Sequence, residues 1–354
     1  MRDVDIAVVG GGIIGCLVGR EVTGRDPRAR VALFDRDVVA SGASRRSAGL
    51  HFPRGATDRV RRLSAHSQAA YARLAAEDPA LPIHPLRMHM LSADPARIER
   101  TYLPTARAVP AGQVPGGLVA VPEGTGVWTG QGCQYADVGA LTEALARTLR
   151  PRLALREATR VTAVTPGPAD VTLRLSTGEA LTASRVVLAP GPWLADPAWE
   201  PLVTPLGARV KKIVALHVDR APAPDDGVIV FEDEDAFLLP LHHRGHWLFS
   251  YTCQEWDVDP DALTAGLSAG DLTEALACLN RYAPALAGRT TSGRVFCDAY
   301  SPTREPLVRP LDDAGRVVFA GAANGSGYRL APAIAAEAAD LLHIARPEGQ
   351  RNAA

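Results

Sequence analysis

Residues 5–35, which open DIAVVGGGIIGCLVG and close on VALFD, decide how this chain is read. Residues 6–9 are a short apolar, mostly β-branched run, the pattern of a strand buried on both faces. Gly10, Gly12 and Gly15 follow, and a helical pattern then begins. In this arrangement the first glycine permits a tight turn, the second lets a pyrophosphate approach the backbone, and the third lets the helix pack close to the strand. The helix N-terminus then directs unpaired N–H groups at the phosphates. A second apolar run, residues 31–34, ends in Asp35, where a carboxylate would accept ribose hydroxyls. Glycines at this spacing are weak evidence alone. Set between strand and helix, with an acid at this distance, they predict a dinucleotide site.

Working outward, a chain of 354 residues predicts two domains. An apolar fraction of 47% and a net charge of −1 describe an ordinary globular protein and offer no nucleic-acid surface. The five cysteines form no Cys-x-x-Cys and are odd in number, which argues against a disulfide framework and for a reducing compartment. The N-terminal apolar run is too short and glycine-rich for a membrane span. The expectation is a cytoplasmic protein without membrane or nucleic-acid partners, monomeric or weakly self-associating.

Next comes a Ser/Gly-rich loop with Arg45 and Arg46, residue types that suit a phosphate or carboxylate but equally a solvated basic turn. An amphipathic helix is expected through Val60, Leu63, Tyr71 and Leu74, ending at Asp78-Pro79. Residues 81–132 show no sustained period, with MHML at 88–91 as one expected strand. Asp137 should cap a helix carrying Val138, Leu141, Leu145 and Leu149. Strands are expected at 160–164, 171–175 and 185–189, with a hairpin turn at 176–179. From 209 to 251 the pattern is all strand and reads as an antiparallel sheet. His242, His243 and His246 lack a complementary ligand set, so no metal site is expected. Asp271 and Glu274 read as a capping box. Finally, residues 317–319 form a strand before a loop with Gly321, Gly325 and Gly327, and Pro332 suits the first turn of a last helix. A nicotinamide dehydrogenase has no need of this second strand-to-helix junction. A flavoprotein does, because a helix N-terminus stabilises negative charge on the reduced ring.

VVGGGIIG (8–15), FDRDVVASGAS (34–44), VVLAPGPW (186–193) and AGAANGSGYRLAPA (320–333) together resemble the D-amino-acid oxidase superfamily of FAD enzymes. The resemblance covers nearly the whole chain and is nearest the monomeric sarcosine oxidase and glycine oxidase branch. It implies an α/β FAD-binding Rossmann-type domain plus an α+β substrate domain with a large antiparallel sheet. On this pattern residues 1–80, 133–207 and 295–346 form a discontinuous FAD domain, 81–132 and 208–294 the substrate domain, and 347–354 a flexible tail. The implied chemistry is hydride transfer from the carbon beside an amine to flavin N5, giving an imine, with oxygen or another electron acceptor. The small substrate would be like sarcosine, glycine or a D-amino acid.

Carried over by position, Gly10, Gly12 and Gly15 would hold the pyrophosphate, Asp35 the ribose, and Ser44 and Arg45 the phosphates or flavin edge. Val161 would meet the adenine through its backbone. Gly325, Ser326, Gly327, Tyr328 and Arg329 stand where sarcosine oxidases run Gly-His-Gly-Phe-Lys, so Arg329 would face the substrate carboxylate. The expected cofactor set also takes in Ile13, Ile14, Arg36, Gly42, Arg46, Ala189, Gly191, Trp193 and Leu330. Tyr251 and Tyr300 should line the substrate pocket, with Arg45, Arg46 and Arg54 as further arginines. Two departures stand out. Leu248 falls where sarcosine oxidases carry an oxygen-activating lysine, with Lys211 and Lys212 on an earlier strand. Cys297 is a candidate for the covalent flavin bond, its spacing off by about one residue, against the alternative of a small buried thiol. The rival functions are an FAD monooxygenase reduced by NAD(P)H, which usually carries Gly-Asp where Gly321-Ala322 stands here, and a flavin-binding subunit of a larger dehydrogenase.

Overall fold

The opening motif folds as a strand, Val4–Val9, a tight turn, a helix, Ile13–Arg25, and a second strand, Val31–Phe34. The computed structural model describes residues 3–263 and 266–344. The first strand lies between Val31–Phe34 and Ala180–Leu188, parallel to both, and Ala7 and Val8 are wholly buried. Burial on both faces is why the run lacks polar alternation. Val317–Gly321 pairs parallel with Ala180–Leu188, so the C-terminal glycine loop emerges at the same sheet edge as the first. The hairpin Val171–Leu175 to Ala180–Leu188 turns where expected, with Gly178 at φ +86°. This sheet has eight strands, and the Ile13–Arg25 helix shares its core with the last helix, Gly327–Leu341.

A second, nine-stranded sheet contains the expected strands Arg209–Val218, Val228–Phe231, Ala236–Leu241 and His246–Tyr251. Helix Ala269–Tyr282 covers one face through Ala275 and Leu279, packed on Val214, Leu216 and Phe249. The opposite face carries Leu239, Leu248, Met88 and Met90 and meets Phe52. Much of this sheet comes from the stretch without a readable period. Ile83–Ser92 and Gly126–Ala136 pair antiparallel, with a register shift between Leu86 and Met88. Pro85, Gly130 and Gly132 interrupt the alternation, so only MHML stood out.

The sheets also divide the chain differently from the expected segments. Residues 133–136 end a strand of the second sheet, and Thr290–Tyr300 pairs along its length with Arg209–Val218, placing 295–300 there too. The expected tail lies outside the described residues. The helix Asp58–Glu77 ends at its cap Asp78, and Asp137 caps Val138–Leu149 by accepting from Ala140 N, both as expected. The capping box, however, joins Ser268 and Asp271, not Asp271 and Glu274.

Pro332 sits inside the last helix rather than in its first turn. Proline lacks the N–H that would bond the carbonyl four residues earlier, that of Tyr328. The Tyr71 hydroxyl donates to that oxygen at 2.6 Å, and its ring stacks on Tyr328 with centroids 4.7 Å apart. His51 Nδ1 lies 3.2 Å from the next carbonyl, that of Arg329. Burial pushes the His51 pKa down to about 3, so the ring is neutral and Nδ1 is the protonated nitrogen donating to that oxygen. Tyr71→Phe should therefore leave a buried carbonyl without its donor and destabilise the protein by about 1–3 kcal/mol. The denaturation midpoint in urea reads this directly, and an unchanged midpoint would show that the bond contributes nothing.

Candidate active site

The glycine turn is closed by contact on three sides. A Cβ on Gly10, which has φ +107°, would stand 2.2 Å from the Ala189 carbonyl oxygen, and one on Gly15 1.9 Å from that of Gly10. Ser44 caps the first helical turn by accepting from Ile13 N at 2.9 Å. Asp35 accepts from the amides of Gly11, at 2.7 Å, and Asp37, at 2.8 Å. Burial still holds its carboxyl above the usual range. One wall is Trp193. Its indole N–H donates to Asp261 at 2.8 Å, Arg36 stacks 4.3 Å from its ring centroid and pairs with Asp261, and Gly42 leaves room for its edge.

These residues line a groove of about 1240 Å³, its open mouth included. Asp35, Arg36 and Val161 line it together with Gly10, Gly12, Ile13, Ile14, Gly42 and Ser44. Ala189, Gly191 and Trp193 also line it, with Gly325, Gly327 and Tyr328 of the C-terminal loop. An acid placed for a ribose, a backbone cradle that side chains would fill, and a second helix start fit FAD. The bound group would supply the hydride acceptor. Gly10 and Gly12 would hold its pyrophosphate, Asp35 its ribose, and the loop 321–328 its ring.

Other expected cofactor residues lie elsewhere. The short helix Ala43–Arg46 turns Ser44 inward and the two arginines out: Arg45 pairs with Glu143 at 2.9 Å, and exposed Arg46 donates to the Ser41 carbonyl. Gly15 acts through packing against Gly10, and Leu330 belongs to the core between the helices. Ser326 holds the Arg329 guanidinium at 2.8 Å instead of facing the groove. Cys297 does not line the groove. Strand alternation buries it among Val210 and Ala299, and burial pushes its thiol up to about 12. Its neighbour Asp298, missed from sequence, lines the groove in its place.

Beyond the C-terminal glycine loop, Arg329 has no carboxylate partner among the described residues. Its guanidinium donates to the Arg54 carbonyl and lies 5.4 Å from the centre of the Phe52 ring. The Arg54 guanidinium lies 5.3 Å from the same ring and pairs at 3.0 Å with the buried Glu232, which also takes the Tyr102 hydroxyl at 2.6 Å. Burial and the nearby Arg54 hold Arg329 below its ordinary pKa. The Tyr300 hydroxyl stands over Gly325, and the Tyr300 ring meets Trp256 edge-on at 5.4 Å. Tyr251 does not lie on the face of the second sheet that meets Phe52: it pairs in register with Val214 and packs on the face covered by helix Ala269–Tyr282. Leu248 is buried without charge on the face that meets Phe52. Lys211 Nζ lies over Trp256 and Tyr300, at 4.8 and 5.5 Å, whereas Lys212 is tied to Glu255 and Asp271. Among the described residues no three His, Cys, Asp or Glu side chains are grouped to hold a metal ion, and no helix is long and apolar enough to cross a membrane.

A parallel sheet with a glycine cradle at one strand end, an acid at the end of the next strand and a returning C-terminal glycine loop is the architecture of a dinucleotide-binding protein. Residues 5–341 match the DAO family, FAD dependent oxidoreductase, and the chain belongs to that family. Over 46 residues it is 48% identical to glycine oxidase of Geobacillus kaustophilus (strain HTA426), a match spanning 13% of this chain and 12% of that enzyme. The fold is shared with the crystal structure of glycine oxidase from Geobacillus kaustophilus, at TM-score 0.79 and 20% identity over 98% of this chain and 96% of that one. It is also similar to L-proline dehydrogenase from P. horikoshii, at TM-score 0.80 and 16% identity, covering 98% and 95% of the two chains. NikD, an unusual amino acid oxidase essential for nikkomycin biosynthesis, aligns at TM-score 0.79 and 18% identity, covering 97% and 94%.

Proposed function

We propose that the protein oxidises the C–N bond of a small amine or amino acid bearing a carboxylate, with FAD held non-covalently. The observation that carries this reading is the Arg329 guanidinium, half-buried beside Arg54 and without an ion-paired carboxylate among the described residues. Two acids act on it through space, Glu232, already engaged by Arg54 and Tyr102, and Asp235, but neither forms an ion pair with Arg329, so its charge is left without a contact partner among the described residues. A substrate carboxylate would neutralise it, and the planar fork of Arg329 would fix both distance and orientation. Phe52, Trp256 and Tyr300 would exclude water around the reacting carbon. Bound FAD supplies the hydride acceptor, and the substrate leaves as an imine that water hydrolyses. An amine that enters neutral needs no protein base. Glycine oxidase, NikD and L-proline dehydrogenase, named for amino acids, share the fold.

The test is anaerobic bleaching of the flavin by N-methyl, cyclic and D-amino acids, beside amines of similar size that lack the carboxylate. Bleaching confined to carboxylate-bearing amines is expected. Bleaching by NAD(P)H and by no amine would transfer the protein to the monooxygenases. A separate prediction concerns Cys297. A buried thiol outside the groove is a poor nucleophile, so acid precipitation should leave a white pellet and a yellow supernatant. Colour retained in the pellet, and released to the supernatant in Cys297→Ala, would establish the covalent bond instead.

A further inference from the structure

Asp298 stands opposite Lys211 in the register of two paired strands, a placement that normally yields an ion pair. No such pair forms. Lys211 turns to the rings of Trp256 and Tyr300, and Asp298 turns into the FAD groove. There its carboxylate has no hydrogen bond or ion pair among the described residues. Its place along the groove is fixed by the end of its own strand. Tyr300 bridges Ala323, and Asn324 N donates to the Ala299 carbonyl at 3.2 Å, so Asp298 lies beside the C-terminal glycine loop, which would cradle the ring. The titratable groups around it are Cys297 and Tyr300 on its strand and Lys211 on the next. Arg46, Asp259 and Asp261 lie beyond, on the Cys297 side. None neutralises it.

We propose that Asp298 lowers the reduction potential of the bound FAD, and does so only while it is ionised. The inference rests on the assignment of FAD to this groove. Reduction by substrate brings two electrons and one proton as a hydride, and leaves negative charge on the ring. A carboxylate alongside, in a site of low dielectric, opposes that charge. Burial pushes Asp298 up to about 6. Above that value the anion resists reduction, and when reduction occurs the carboxylate gains affinity for a proton from solvent. Below it the carboxyl already carries its proton and exerts no such opposition.

The experiment is a potentiometric titration of the holoenzyme against a reference dye, without oxygen, across pH. Wild type is compared with Asp298→Asn and Asp298→Ala, and flavin content is measured first. Both variants should show a higher potential than wild type well above Asp298's pKa of about 6, and the gap should close as pH falls through it. Equal potentials at alkaline pH, or a gap independent of pH, would overturn the proposal. If neither variant retains flavin, the wild-type curve decides: a bend near pH 6 is expected, and its absence refutes the role. Wild-type protein that binds no FAD would instead refute the cofactor assignment.

Discussion

Gly15→Ala should yield a folded or partly folded protein that purifies without FAD. A methyl on Gly15 would lie 1.9 Å from the Gly10 carbonyl oxygen and 3.1 Å from its carbon, and backbone cannot swing aside as a side chain can. The helix Ile13–Arg25 must therefore back away from the strand by roughly an ångström, at an overpacking cost of about 1–3 kcal/mol or more. That movement withdraws Ile13 N from Ser44 and shifts the helix N-terminus where the phosphates bind. The effect on FAD should thus exceed the effect on stability. Gly24→Ala is the control, because it lies in the same helix and a Cβ there meets nothing within 4 Å. It should keep FAD and gain up to about 1 kcal/mol in stability. Flavin absorbance per protein separates the two variants. Full occupancy in Gly15→Ala would mean that close helix–strand packing does not position the cradle.

The cradle could be read from sequence because each glycine answers a local steric demand, and Asp35 follows at a distance set by one βαβ unit. The Arg209–Tyr251 sheet was legible for a similar reason: its strands are apolar and separated by turn formers. The Ile83–Ala136 half of the sheet was not, since both long strands are broken by Pro85, Gly130 and Gly132 and are specified by their pairing. Pro332 misled because a proline is normally a helix-start signal. Here a donor from a helix far along the chain, Tyr71, satisfies the carbonyl it frees.

Side chains in the site were harder to place than elements, and alternation is the reason. Cys297 and Asp298 differ by one position, yet strand geometry sends them to opposite faces. A motif offset of one residue is thus the difference between a groove residue and a core thiol. Tyr251 was misplaced in the same way. Arg45 and Arg46 sit one and two positions beyond Ser44, and one helical turn is enough to rotate them into solvent. The Arg54–Glu232–Tyr102 cluster joins three distant segments, and no local pattern marks it.

Arg329→Ala should lose substrate affinity and keep FAD. The competing view is a structural arginine paired to Glu305 or Glu337, but both of those carboxylates are held by Arg59. Arg329 instead bonds the Arg54 carbonyl and Ser326 Oγ, leaving donors of its five-donor fork for a ligand. Burial and Arg54 destabilise its charged form, so an incoming anion gains more than it would at the surface. Removing one partner of a desolvated charge pair costs about 2–5 kcal/mol, roughly thirtyfold to a few thousandfold in affinity. Arg329→Lys should recover part of this, because a point charge returns without the bidentate geometry. The control is Arg45→Ala, whose side chain is spent on an exposed pair with Glu143 and should leave bleaching unchanged. Anaerobic bleaching rates over a range of substrate concentrations give affinity separately from the chemical step, and the visible spectrum gives FAD content. Wild-type bleaching in Arg329→Ala would make this arginine structural and move the carboxylate anchor to Arg54.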